Sequence, residues 1–428
     1  MARFVKLLTY DETAPFQMPS TDLGYVAQTN HGYTITLFGD TFDDGPDGHL
    51  GQGNGWRSPV GLRQSNPDIE NGIRWDNAIG GARAKKMIPY ESRGGIFSGE
   101  LPDGFTNIPN DLIHLPDGRY IMTTFAIRSW AHDATDGNSW ATFHSRMWTS
   151  TETHAEHWGR TWDVEGNHEN FDFPNWGEWS HFQNNTMIMF PGEPWVYIYG
   201  TNEGRWQDGG IHLMRVDWRT MWNRSTYEFW GEYAPGVWEW RRFGHTTPIL
   251  RPTFSGPGQY IGEISAQVID GRVVLSYVDG SIGAITRTSP RPEGIWTLPK
   301  MQISRDFKPT LYAPCIHPYS RLGRAQMLLS EWDREWQPDG PTTYYGTKQW
   351  EVDLNGIIFS TSNPRLAEET GNVAEGVVNP EGHTGELTPR IDKLSTPDLV
   401  AVLADNADDD IDRSDIAEVV EKGRAASK

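Results

Sequence analysis

The sequence predicts an all-β chain folded as a five-bladed β-propeller. Three observations lead there. A hairpin pattern recurs five times along the chain. Turn formers are abundant, with 45 glycines and 28 prolines in 428 residues, as many short strands require. There are also 20 tryptophans, the kind of large side chain that fills seams between stacked sheets.

Each hairpin is a short apolar strand, a tight turn and a second apolar strand that ends in polar residues. The five run over Asp22–Asp40, Asn110–Ala126, Asn184–Gly204, Gly262–Gly280 and Tyr312–Asp333. Asp117-Gly118 and Asp270-Gly271 are two-residue hairpin turns, and Asn30-His31-Gly32 and Pro191-Gly192 stand in the equivalent places. Further strands are expected at Phe143–Ser150, Ile211–Asp217, Tyr227–Glu232, Ala284–Thr288 and Tyr345–Leu354, which allows four strands per unit plus long loops. Antiparallel sheets in series read as blades, each covering the faces of the next. A β-sandwich is the rival arrangement. His157–Trp162 (HWGRTW) resembles the Asp-box turn of sialidase-like propellers, with His157 at the Asp position; that motif locks a hairpin and does no chemistry.

Residues 1–384 form the expected propeller domain, and 385–428 an acidic, partly helical tail. Ser395-Thr396-Pro397-Asp398 reads as a helix start, and Asp398–Leu403 and Ile411–Glu421 as short helices. Asp408–Asp412 resembles a calcium loop, but Arg413 replaces the glycine that an EF-hand needs. Attachment or assembly is the expected role of the tail.

Composition excludes several classes. A formal net charge of −20 repels nucleic acid and anionic membranes, so a neutral substrate is expected and no nucleic-acid partner. The single cysteine, Cys315, allows no disulfide within the chain and reads as a buried thiol. Met1–Phe16 lacks a basic region followed by a sustained apolar stretch, so no signal peptide and no membrane insertion are expected. No phosphate loop, His-Glu-x-x-His or paired-cysteine metal site is present.

Propeller geometry says where chemistry would gather. The start of each innermost strand and the end of the next strand share one face. The inner strands start at Asp22, Asp111, Asn184 with Asn185, Glu263 and Tyr312. The second strands end at Asp40, Arg128, Glu203 with Arg205, Asp279, and Glu331 with Asp333. Carboxylates crowded around one mouth raise one another's pKa. A raised acid beside an ionised carboxylate is what glycoside hydrolysis needs. Asp22, Asp40, Asp111 and Glu263 are therefore the candidate catalytic residues, although each of the aspartates could instead cap a turn or satisfy backbone amides. Arg57, Asn184, Asn185, Glu203, Arg205, His317, Trp176 and Trp179 are candidates for substrate binding, with aromatic faces against sugar C–H groups. In the bland alternative, the tryptophans fill a mini-core and the arginines pair with carboxylates. No cofactor is required; calcium in the channel is a further option, and Asp43, Asp44 and Asp47 could hold a cation or serve a turn.

Several segments carry a resemblance to a known family. They are Phe38-Gly39-Asp40-Thr41-Phe42, Gly55–Val60, Phe182-Gln183-Asn184, Gly262-Glu263-Ile264-Ser265, His317–Ser320 and Leu329-Ser330-Glu331-Trp332, in order over residues 17 to 360. Together they resemble the endo-D-arabinanase family of actinobacteria and mycobacteriophages, glycoside hydrolase family 183, formerly a domain of unknown function. The resemblance implies a five-bladed propeller that cuts internal D-arabinofuranosyl linkages in mycobacterial arabinogalactan and lipoarabinomannan. By analogy with other five-bladed furanosidases, it implies Asp22 as base or nucleophile, with Asp40 competing for that role, Asp111 as modulator and Glu263 as acid. The expected lack of a signal peptide departs from a secreted bacterial enzyme and fits a phage virion protein that reaches the cell envelope on the particle, or one made in a cytoplasm, with virion tail proteins as expected partners of residues 385–428. A non-catalytic glycan-binding propeller and a sialidase-like hydrolase are the alternatives.

Overall fold

The computed structural model describes residues 2–44, 53–90, 104–129, 140–161, 172–204, 209–254, 259–280, 282–337 and 340–356, with Ala417 and Glu421. Side chains of 333–344 are outside this description, as are Arg205, the Asp408–Asp412 loop and nearly all of the tail. Among the described residues no helix is long and apolar enough to cross a membrane.

Five antiparallel sheets follow one another, as the repeat predicts. Blade I comprises Ser20–Gln28, Thr34–Phe42, Val60–Gln64 and Asn77–Ala78. Blade II comprises Asn107–His114, Tyr120–Ser129, Ala141–Ser150 and Asp172–Pro174, with the short Gly159–Arg160 beside its third strand. Blade III has Asn184–Met189, Trp195–Thr201, His212–Asp217, Glu228–Ala234 and Val237–Arg241. Blade IV has Ile261–Ile269, Arg272–Asp279, Gly283–Ser289 and Lys300–Ser304. Blade V takes Leu311–Ile316, Ala325–Gln337 and Gly340–Val352, then borrows its outer strand, Arg3–Leu7, from the other end of the chain. Arg3 pairs with Glu351 and Leu7 with Lys348. That closure joins the ends of the ring and leaves no open seam between first and last blade.

The core lies in the seams. Tyr199, Trp230, Trp296, Ile264 and Leu275 fill the one between blades III and IV. Tyr25, Leu112, Trp148, Tyr312 and Cys315 join blade I to blades II and V. Each face of a blade is therefore buried by its neighbour, which is the main source of stability in this architecture.

Around the axis the five inner strands touch in a closed ring. Side-chain hydrogen bonds also tie neighbouring inner strands to one another. Thr186 Oγ1 of blade III donates to Asp111 Oδ2 of blade II at 2.6 Å and accepts from Ala266 N of blade IV at 2.9 Å. Ser265 Oγ of blade IV donates to Cys315 Sγ of blade V at 3.2 Å, and that sulfur also accepts from Val26 N of blade I at 3.4 Å. All of these residues are buried, so the ring forms a dry floor beneath the mouth.

Candidate active site

An inner strand with regular alternation would send every second side chain toward a neighbouring blade. Four of the five inner strands break that alternation. Blade I steps from the Leu23–Phe38 pair to Tyr25–Leu37, which leaves Gly24 as an extra residue. Blade II gains one between Pro109 and Asp111, blade IV between Ile261 and Ile264, and blade V between Tyr312 and Cys315. Only blade III, from Asn184 to Met189, runs in unbroken register. A β-bulge re-aims the side chains beside it. Asp22, Asp111, Glu263 and Tyr312 each stand at or next to one.

The blade I bulge is the most elaborate. Leu23 has φ 66° and Gly24 φ 115°. A Cβ on Gly24 would crowd Leu328 and Thr347 of blade V at 3.2–3.3 Å, so glycine is needed there twice over. The carbonyl of Leu23, freed from the ladder, accepts from Ser330 Oγ at 2.9 Å and Thr347 Oγ1 at 3.0 Å. The opposite strand is bulged too, at Gly39-Asp40, between the Thr21–Thr41 and Leu23–Phe38 pairs. Two facing irregularities thus place Asp22 and Asp40 together at the mouth.

Asp22 Oδ2 accepts from Tyr312 Oη at 2.9 Å, and Tyr345 bonds the same carboxyl. Asp22 Oδ1 is buried with no partner among the described residues. It rests against Gly39, where an added Cβ would come within 2.5 Å of it. Burial, then the charge of Asp40, push Asp22 up to about 7, with Glu263 adding to the rise and the two tyrosines opposing it. Asp40 Oδ1 accepts from Trp56 Nε1 at 2.9 Å. Burial raises Asp40 to about 6 against that bond. The two titrate as a pair: the first proton leaves to give one charge, and that charge holds the second proton in place.

Asp111 is deeper and more tightly held. Its Oδ1 accepts from Leu112 N at 2.7 Å, and its Oδ2 from Thr186 Oγ1 and from Met187 N at 2.8 Å. Burial nonetheless raises it to about 7. It staples blade II to blade III as well as facing the axis. Glu263 is 5% exposed, and its charge bears on Asp22 and on Tyr25.

The substrate-binding candidates separate. Arg57 is buried, giving Nε to Ala84 O at 2.6 Å, Nη1 to Asp43 Oδ1 and Gly55 O at 2.7 Å each, and Nη2 to Gln17 O. It brackets the loop after Asp40 instead of facing the mouth. Asp43 is taken up by Arg57 and Arg83, and Asp44 by the amide of Asn54, so turn chemistry accounts for both. Asn185 is saturated by Ser145, Phe182 O and Thr123. Asn184 donates to Gly262 O at 3.2 Å and so steadies the Glu263 bulge. Glu203 accepts from Thr142 and clasps blade III to blade II. His317 sits at the far end of its strand, on the opposite face, with Nε2 on Gln64 Oε1 at 2.8 Å and Nδ1 accepting from Tyr319 N at 3.2 Å. Burial lowers it to about 3, so it stays neutral. Trp179 stacks on Phe173 and packs edge-on against Tyr227 and Phe229, a seam residue. Trp176 is 68% exposed on the loop leading into blade III. Asp279 is locked by Thr253 N and Oγ1, and Glu331 lies between Lys308 and Lys348. Among the described residues no group of three or more His, Cys, Asp or Glu side chains could hold a metal ion.

Sequence reasoning passed over Trp56, Thr186, Tyr345 and Tyr25, which hold or face the carboxylates. The legible signal was glycine beside the acids, in Asp22-Leu23-Gly24, Gly39-Asp40 and Gly262-Glu263, since glycine inside a strand marks a bulge.

Fold and mouth together define a propeller with a carboxylate-lined axial site. The chain belongs to DUF4185, a domain of unknown function, whose family model matches residues 9–350. That span ends within the third strand of blade V. Notoamide biosynthesis cluster protein J of Aspergillus sp. (strain MF297-2) is 27% identical over 330 residues, 73% of this chain and 80% of that protein. A Bacteroides ovatus structure described as "a putative hydrolase" superposes with a TM-score of 0.52 at 14% identity, over 79% of this chain and 87% of its own. A thermostable family-43 glycoside hydrolase is a weaker likeness, with a TM-score of 0.41, 10% identity, and 79% and 93% coverage.

Proposed function

We propose that this protein is a glycoside hydrolase, and specifically an endo-acting one that cleaves D-arabinofuranosyl linkages of mycobacterial arabinogalactan and lipoarabinomannan. The observation that carries the hydrolase reading is the set of inner-strand bulges that turn Asp22, Asp111 and Glu263 to one mouth, with Asp40 beside Asp22. Two neighbouring carboxyls that ionise at different pH supply an acid and a base from the same site. The arabinan substrate rests on the resemblance of the segments around Asp40, Glu263 and Glu331.

Asp22 and Asp40 are raised to about 7 and about 6, so the pair holds one proton well above the usual carboxylate range. One member then serves as acid and the ionised member as base. Glu263 completes the mouth from across the axis, and Asp111 supports it from below. The net charge of −20 suits a neutral polysaccharide.

A second reading draws on the Aspergillus relative, which is named for a biosynthesis cluster. There the same carboxyls would run acid–base chemistry on a small molecule. The deciding experiment incubates the purified protein with mycobacterial arabinogalactan and follows released oligosaccharides, with Asp22→Asn, Asp40→Asn and Glu263→Gln alongside. A product ladder lost in these variants supports the arabinanase. Absence of products from folded protein overturns it, and retained binding would then point to a glycan-binding propeller.

A further inference from the structure

The inner strand of blade I carries a second polar group toward the axis. Asp22 and Tyr25 are three residues apart, a spacing that puts side chains on opposite faces of a regular strand. The extra residue at Gly24 cancels that inversion, so both face the axis. The Tyr25 ring packs in the cluster that holds Leu112 of blade II and Tyr312 and Cys315 of blade V. The next residue, Val26, gives its N–H to Cys315 and its carbonyl to Gln267 Nε2 of blade IV at 2.7 Å. Tyr25 therefore stands on the dry floor, with residues of blades II, IV and V around it.

Its hydroxyl makes no hydrogen bond to any described residue, and the side chain is 3% exposed. A buried phenol in a native structure finds a partner as a rule. The charged groups that bear on it are, in order, those of Glu263, Cys315, Asp111 and Asp22. The other two tyrosines of the site, Tyr312 and Tyr345, spend their hydroxyls on Asp22. Tyr25 alone of the three is uncommitted.

We propose that the Tyr25 hydroxyl is a substrate-binding group at the base of the mouth, donating to a hydroxyl or ring oxygen of the sugar unit held between Asp22 and Glu263. The inference rests on the glycoside-hydrolase reading and adds a residue to it. Surrounded by carboxyls, the phenol stays protonated through the working pH range, so it donates a hydrogen bond and transfers no proton. It adds a neutral donor with a lasting proton to a mouth lined by carboxyls, where an ionised carboxylate only accepts.

The test is Tyr25→Phe, which leaves the ring and its packing in place. Because the hydroxyl has no partner among the described residues, the variant should melt with the wild type, whereas a structural hydroxyl would lower the melting temperature. On arabinogalactan, kcat/KM should fall by about tenfold or more, with kcat affected at least as much as KM, as for a donor whose bond strengthens in the transition state. Tyr25→Phe in the Glu263→Gln background should weaken binding of arabinan oligosaccharides by calorimetry. Activity within about threefold of wild type, with unchanged oligosaccharide binding, overturns the proposal. If the wild type binds but does not hydrolyse, the hydrolase reading fails and the binding comparison still decides for or against Tyr25. If it neither binds nor hydrolyses, both are overturned.

Discussion

Replacing Asp22 by asparagine should stabilise the fold while abolishing hydrolysis. The substitution keeps the shape and an oxygen for Tyr312 and Tyr345, and it removes the charge. In the folded chain Asp22 holds its proton to about 7, against a reference value of 3.8. That difference of roughly 3 units corresponds to about 4 kcal/mol once both states are ionised. Asp22 is partly open to solvent at the mouth, and screening there reduces the expectation to about 2–4 kcal/mol. The sign follows from proton binding. A raised folded pKa means that the folded state holds more protons than the unfolded chain between about pH 4 and 7, so wild-type stability falls as pH rises through that window. Asparagine does not titrate and lacks that decline. Differential melting should show no difference between variant and wild type near pH 4 and the full difference by pH 8. For a chain of 428 residues the unfolding entropy is about 0.9 kcal/mol/K, so the gain is roughly 2–5 °C. A variant that melts at or below the wild type at pH 8, or a gain that persists at pH 4, would refute the placement of Asp22 as a strained, proton-holding acid.

Other expectations follow from single contacts. Trp56→Phe removes a donor from ionised Asp40, so the limb of the pH–rate profile that reports Asp40 should move to higher pH by roughly half a unit to one unit. Gly39→Ala pushes a methyl onto Asp22 Oδ1 and Leu23, and should reduce kcat more than KM while lowering stability by about 1–3 kcal/mol in denaturant titration. Arg57→Lys cannot reproduce a guanidinium that meets four acceptors, and should lower stability by about 2 kcal/mol or more through loosening of the loop after Asp40. Cys315, buried and pushed up to about 12, should resist iodoacetamide in the native protein and react fully in urea; ready native alkylation would contradict the dry floor.

The hairpins were legible because their signals are local. Apolar alternation, Asp117-Gly118 and Asp270-Gly271 each act over a few residues, and the acids at strand starts and ends follow from them. The third strands predicted from 143, 211 and 284 are those of blades II, III and IV, within a residue or two. Nothing local announced that Arg3–Leu7 completes blade V, because its partners lie more than three hundred residues away. The same limit explains the binding candidates. Arg57, Asn185 and His317 have the right chemistry for a sugar, but contacts between distant segments had already occupied their hydrogen bonds, within blade I for Arg57 and across blades for the other two. Conversely Tyr25 reads as ordinary core in sequence, and only the bulge at Gly24 turns it to the axis. Strand identity depends on side chains and their immediate neighbours. Which group faces the mouth uncommitted depends on register, bulges and contacts between distant segments, and those exist only once the ring has closed.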